Sequence, residues 1–367
     1  DIFVNSFING TNWKDEVTAI DRMAKLTKED IVAFADKYLK EDNYAVVYKK
    51  QGKDPNEKKM TKPEITPIVS NRDVASPFLT SIQENAVKPI EPVFLDFKKD
   101  MSQLTAKSDI PVLYKQNTTN DLFQLIYVFD MGNNNDKALG TAFDYLEYLG
   151  TSDMTPEELK SEFYRLACTF YVSPGNERTY VVLSGLNENM PAAMQLFEKL
   201  LADAQANKEA YNNLVGDILK ARADAKLNQG QNFSRLMNYA MYGPKSPATN
   251  LLTEAELASM NPQELVDRIH NQNNYKHRIL YYGPSSSKDL LATIDQYHQV
   301  PATLKDIPAG NEFSYLETPA TKVLVAPYEA KQIYMAQISN LDKKYDPAIE
   351  PTRELYNEYF GGGMNSI

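Results

Sequence analysis

The 367-residue sequence has one cysteine, Cys168, and three histidines, His270, His277 and His298. A single thiol excludes an intrachain disulfide and any zinc site built from several thiolates. Its flanks, FYRLACTFYV, are apolar, so Cys168 reads as a buried core thiol and not as a nucleophile. The histidines never stand four apart, which excludes the helical zinc motif that puts two imidazoles on one face. Surplus positive charge is also missing: 39 Lys and Arg stand against 49 Asp and Glu, a net charge of −10. That balance argues against nucleic acid and against an anionic membrane surface as partners. No run of about 20 apolar residues occurs, so no membrane span is expected. The first residue is Asp1 and no signal peptide is visible, as in a processed chain or a piece of a longer one.

The remaining composition, 43% hydrophobic and 24% charged, is that of a soluble globular protein, and the length fits two or three domains. Internal repetition defines them better. The block 110–150, IPVLYKQNTTNDLFQLIYVFDMGNNNDKALGTAFDYLEYLG, aligns without a gap on 321–361, TKVLVAPYEAKQIYMAQISNLDKKYDPAIEPTRELYNEYFG, at an offset of 321 − 110 = 211. Val112-Leu113 falls on Val323-Leu324, Tyr145 on Tyr356, Glu147-Tyr148 on Glu358-Tyr359, and Gly150 on Gly361. Each block reads as strand, turn, alternating strand, then a helix stopped by glycine. A second pairing joins 27–49 to 261–283, at an offset of 261 − 27 = 234. Both segments open on a helix cap and end in a helix-to-strand step, YAVVYK and HRILYYG.

Together the pairings divide the chain into the tail of one unit (1–50), a linker (51–97), a complete unit (98–300) and the head of another (301–367). The linker assignment rests on six prolines, many charges and little periodicity in 51–97. Incomplete units at both ends are expected to leave apolar surface exposed. In the complete unit the spacing predicts strands at 110–116, 122–131 and 277–282 and a hairpin over 170–185. Helices are predicted at 137–149, 156–169, 190–206, 208–229, 231–242, 253–260, 262–273 and 286–298. Capping boxes are expected at Thr27/Asp30, Thr155/Glu158, Thr253/Glu256 and Asn261/Glu264. The fold class is α+β: repeated units of antiparallel sheet covered by helices on one face. Strict strand–helix alternation, the mark of a doubly wound parallel sheet, is missing.

The order of elements, with YLEYLGT at the end of the first repeat helix, TPEEL after it and YFGGGMNS near the C-terminus, resembles the insulinase/pitrilysin family of zinc peptidases, the inverzincins. The resemblance covers nearly the whole chain at the level of repeat architecture. It implies tandem homologous units forming two halves of a clam shell. One unit cuts peptide bonds with zinc held on H-x-x-E-H, while the others are commonly inactive. Such chemistry needs two imidazoles four apart, a Glu as base and a further carboxylate ligand. Here Asp144 and Tyr148 stand at the imidazole positions, and Glu147 keeps the base position. At the distance where the family has two Glu seven apart on a long helix, this chain has Asp217 and Asp224. A Tyr hydroxyl with pKa near 10 is a poor ligand at pH 7, and carboxylates without imidazole suit a harder ion than zinc. The five residues Asp144, Glu147, Tyr148, Asp217 and Asp224 therefore read as vestigial active-site positions, with Phe143, Leu146 and Leu149 packing inward. Gly361-Gly362-Gly363 lacks the Gly-Lys-Ser/Thr of a phosphate loop, and the turn NQGQNFSRL and the cap in YYGPSSS read as structural.

The resemblance thus implies a non-catalytic half that closes the chamber and binds a peptide or protein substrate. It binds no cofactor itself; zinc belongs to the catalytic half of the same protein, upstream of Asp1. A wholly non-catalytic homologue serving as scaffold is the alternative, and an unrelated duplicated α+β binding protein is a third. One cysteine fits the cytoplasm, but many Asn, Gln and Tyr residues and the family's bacterial members fit a Gram-negative periplasm.

Overall fold

The computed structural model describes residues 1–42, 44–49, 52, 60–66, 74–330, 332–340 and 345–361. They fall into two units, Asp1–Ile90 and Glu91–Ile367. The helices of the first unit are α1 (Ile2–Asn9), α2 (Trp13–Val17), α3 (Ala19–Met23), α4 (Lys28–Tyr38) and α5 (Pro77–Gln83). α1 stops where Gly10 takes a left-handed φ of 65°, which glycine adopts without steric penalty. α4 starts at the expected capping box, the Asp30 carboxylate accepting from the Thr27 amide at 2.9 Å while the Thr27 hydroxyl accepts from Asp30 N. The strand expected at 44–49 does not form: those residues join no ladder. A strand exists only by pairing, and no other strand is present among the described residues of this unit. α5 interrupts the expected linker because the Ser76 hydroxyl caps Leu79 N and Pro77 fills N1. Residues 51, 53–59 and 67–73 of that linker lie outside the described residues. Only Ser6 is buried among the described side chains of this unit, and Phe3, Phe7, Ile8 and Ile20 are exposed.

The second unit opens with α6 (Phe97–Asp100) and carries a six-stranded sheet: β1 (Ser102–Ala106), β2 (Ile110–Gln116), β3 (Leu122–Phe129), β4 (Cys168–Pro174), β5 (Thr179–Leu186) and β6 (Arg278–Gly283). Its other helices are α7 (Leu139–Leu146), α8 (Pro156–Arg165), α9 (Met190–Asp203), α10 (Lys208–Ala225), α11 (Gln229–Tyr242), α12 (Glu254–Ser259), α13 (Pro262–Asn271), α14 (Ser287–Tyr297) and α15 (Glu350–Gly361). The capping boxes at Thr155, Thr253 and Asn261 all form. Strand order is β1-β2-β6-β3-β5-β4. β2 and β3 are not neighbours: β6 lies between them, parallel to β2 and antiparallel to β3. The sheet is therefore mixed, not purely antiparallel. The hairpin reading of consecutive strands could not foresee a strand arriving from far later in the chain. β1 was not anticipated either; in its SQLTA only Leu104 and Ala106 turn toward the core, too few for a clear alternation.

Alternation sets the buried face. Val112, Ile279, Tyr127, Val181 and Val172 follow one another across five strands, and each is buried or half-buried toward the helices. α9 lies on β4 and β5, α13 on α7 and α9, and α14 on α9 and β1. Cys168 is in this core, 2% exposed, and burial pushes its thiol up. α8 ends at Arg165, short of the predicted 169, because Ala167 turns left-handed at φ 49° and delivers the chain into β4. Gly150 does not act as a left-handed cap; α7 ends earlier, at Leu146. What Gly150 permits is a close approach, since a Cβ there would stand 2.3 Å from the Met154 carbonyl.

The second repeat block reproduces its helix, α15, but not its strands. Residues 321–330 and 332–340 join no ladder. Neighbouring segments of this tail bond to α11 and the turn before it: Leu316 N donates to Met241 O at 2.7 Å, the Tyr328 hydroxyl to Leu227 O at 2.5 Å, and Gln229 Nε2 to Gln332 O at 2.7 Å. The glycines at 362 and 363 lie outside the described residues.

Candidate functional site

Three of the positions singled out in the sequence lie on α7 and just after it: Asp144 in the helix, Glu147 at its C-cap and Tyr148 beyond. The apolar face of α7, with Phe143, Tyr145, Leu146 and then Leu149, is buried as the spacing required. Asp144, Glu147 and Tyr148 emerge on the opposite side and are exposed. Asp144 is raised above the usual carboxylate range, first by the surrounding protein and then by the charge of Glu147. Tyr145, between them, is the structural residue: its hydroxyl donates to Asn207 O at 2.6 Å and accepts from Asn207 N at 2.7 Å, while its ring meets Tyr211 edge-on at 5.9 Å. These contacts fasten α7 to the start of α10. Asp217 and Asp224 stand on α10 beyond that junction, roughly two and four turns past Tyr211, both exposed. Asp224 pairs with Lys220 at 2.9 Å. Among the described residues, no three His, Cys, Asp or Glu side chains converge as a metal site.

The structure assembles another group that spacing did not reveal. Glu198 of α9 is 1% exposed and sits beside two histidines, His277 just before β6 and His298 just after α14. His298 Nδ1 lies 2.6 Å from Glu198 Oε1, and His298 Nε2 lies 2.9 Å from His277 Nε2. His277 Nδ1 lies 2.7 Å from Tyr275 O. The Tyr127 hydroxyl donates to Glu198 Oε1 at 3.0 Å, and Asn273 Nδ2 and the Gln299 amide donate to Oε2 at 2.9 and 3.0 Å. Burial, followed by the charge of Glu198, holds Tyr127 well above its ordinary range. A sequence signal for this cluster exists. Met190, Met194 and Glu198 stand four apart, as do Leu290, Ile294 and His298, so each polar residue closes an apolar helical stripe. A cavity of about 370 Å³ adjoins Glu198 and is also lined by His270, whose Nε2 bonds Ala204 O at 3.0 Å.

No protein-family model and no curated protein matches the chain. Solved structures do. The periplasmic protease PqqL from Escherichia coli superposes with a TM-score of 0.54 at 14% identity, over 83% of this chain and 32% of that one. A mutant of the ferredoxin protease FusC, solved in complex with Arabidopsis ferredoxin, gives a TM-score of 0.50 at 11% identity, over 86% of this chain and 37% of that one. The chain has the insulinase-type peptidase fold. It spans about a third of the length of these two proteases. An inactive peptidase domain from Pseudomonas fluorescens is also similar, at 15% identity and a TM-score of 0.48, over 59% of this chain and 53% of that one. Asp144 lies on α7, and Glu147 and Tyr148 follow directly at its C-terminal end. No helix among the described residues is long and apolar enough to cross a membrane.

Proposed function

We propose that this chain is the non-catalytic half of an insulinase-type zinc peptidase, preceded by the tail of the catalytic half and a linker. In this reading 1–50 ends a preceding peptidase-like unit, 51–97 connects, 98–300 is the complete inactive unit, and 301–367 begins the next. Its work is to close the chamber and to bind a peptide or protein substrate, while an upstream H-x-x-E-H unit holds zinc and hydrolyses the peptide bond. The observation that carries the proposal is the shared fold with PqqL over 83% of the chain; the sequence resemblance, which sets Asp144 and Tyr148 at the two imidazole positions, supports it. Asp144, Glu147, Tyr148, Asp217 and Asp224 are then vestiges of a catalytic surface. The periplasmic protease and the ferredoxin-bound protease among its structural neighbours support a periplasmic setting and a protein or peptide ligand.

The gene upstream of Asp1 tests this at once. An H-x-x-E-H there, and peptide hydrolysis restored when that segment is co-expressed with this chain, are the expected results. An upstream peptidase-like unit without the motif would overturn catalysis and leave the scaffold reading, a wholly non-catalytic homologue, in its place.

A further inference from the structure

The hydrogen bonds of the buried Glu198 cluster fix its proton count. Glu198 accepts from four donors, two at each oxygen: Tyr127 and His298 at Oε1, Asn273 and Gln299 N at Oε2. His277 Nδ1 faces the Tyr275 carbonyl, which can only accept, so Nδ1 carries a hydrogen. A second hydrogen lies between the two Nε2 atoms and a third between His298 Nδ1 and Glu198. A carboxylate and two neutral imidazoles supply only two. The trio therefore holds one extra proton and is neutral as a whole, which suits a site where His298 and Glu198 are 0% and 1% exposed.

A further proton has no place. It would land on His277 Nε2, opposite the N–H that His298 already directs there across 2.9 Å. No other acceptor is bonded to that nitrogen among the described residues; the rings of Phe129 and Tyr127 occupy the space around His277, at 4.6 and 6.0 Å between centroids. The ionisable groups facing the trio are Tyr127 from β3 and, across the cavity, His270 from α13. Flanking charges are engaged elsewhere: Arg278 with Asp130, Lys276 with Asp306, and Lys199 with Asp153.

The cluster also anchors the segment after α14. Gln299 N is held by Glu198; Pro301 O accepts from the Ser108 hydroxyl at 2.7 Å; Lys305 N donates to Asn274 O at 2.7 Å, and Lys276 N to Lys305 O at 2.9 Å. Residues 299–307 thus form a strap laid back across the start of β6 and leading to the tail on α11. We propose that Glu198, His298 and His277 are a proton-operated clasp for this strap, closed by the one shared proton and opened when His277 takes up a second. Burial, with the charge of His298 behind it, already lowers His277 to about 4 from an ordinary 6.5. With respect to the second proton, the closed state is therefore undiminished above about 6.5 and is lost as pH falls toward about 4, because the open state binds that proton more tightly.

Amide hydrogen exchange of the 367-residue chain between pH 7 and 4, corrected for intrinsic rates, reads the clasp directly. Protection of 299–307 should fall about tenfold per pH unit between about 6.5 and 4, the slope of a single linked proton, while 179–186 in the sheet stays the better protected segment at every pH. His277→Gln should abolish the slope. Constant protection down to pH 4, or the same slope in the variant, overturns the proposal. Should that variant fail to fold, ¹³C-labelled histidine spectra of the unsubstituted chain decide: an imidazole titration of His277 that does not coincide with the exchange transition refutes the clasp.

Discussion

Tyr145 separates the structural and chemical roles of α7. Its side chain is 0% exposed, and its hydroxyl bonds both backbone groups of Asn207, the residue that caps α10. Tyr145→Phe keeps the ring against Tyr211 and removes two hydrogen bonds. Each such bond contributes about 1 kcal/mol net, and leaving a partner buried without one costs more. Asn207 itself is exposed, so water can replace part of what is lost. The expected destabilisation is about 1–2 kcal/mol. Tyr145→Ala also empties a fully buried aromatic site and should cost about 3–5 kcal/mol. The repeat supplies the control: Tyr356, aligned with Tyr145, is 61% exposed on α15, so Tyr356→Phe should change stability by less than about 0.5 kcal/mol. Urea unfolding followed by circular dichroism, with the slope unchanged, gives all three values. A Tyr145→Phe protein as stable as its parent, or a Tyr356→Phe protein that loses as much, would refute the claim that this hydroxyl fastens α7 to α10.

Three further outcomes rest on the packing. Gln272 is 1% exposed with both amide atoms unpaired among the described residues, so Gln272→Met should raise stability by about 1 kcal/mol in the same urea assay; a loss of that size would reveal a partner for the amide. At Gly185 a Cβ would stand 2.4 Å from Ala167 O and 2.6 Å from Cys168 Sγ, so Gly185→Ala should cost about 2 kcal/mol or more and lower the thermal midpoint; an unchanged midpoint would contradict the tight β4–β5 junction. Global stability should fall by about 3 kcal/mol from pH 6.5 to pH 4 on account of His277 alone, since its folded value of about 4 lies below the ordinary 6.5; a flat urea midpoint over that range would contradict it.

The parts of the fold legible in the sequence were those decided locally. Capping boxes at Thr155, Thr253 and Asn261 and the period of the apolar residues placed α7 to α14 to within a few residues, and the alternation in 110–116 placed β2. The features that escaped were decided by partners distant in sequence. β6 enters between β2 and β3, which no turn signal records. The strands expected at 44–49 and in 321–340 have the composition of strands but no ladder to join. Gly150 is a glycine because Met154 O approaches it, not because a helix ends there. At the candidate site, the inward face of α7 was legible from its spacing, whereas the Glu198–His298–His277 cluster joins three segments up to 100 residues apart. Only the interrupted apolar stripes of α9 and α14 announce it.

The central claim is that this unit keeps the peptidase fold without metal chemistry of its own. Zinc content by mass spectrometry of the purified 367-residue chain, together with hydrolysis of a quenched fluorescent peptide, tests it most directly. The account predicts zinc well below one equivalent and no turnover, unchanged by Glu147→Gln. One equivalent of bound zinc with turnover abolished by Glu147→Gln would contradict it.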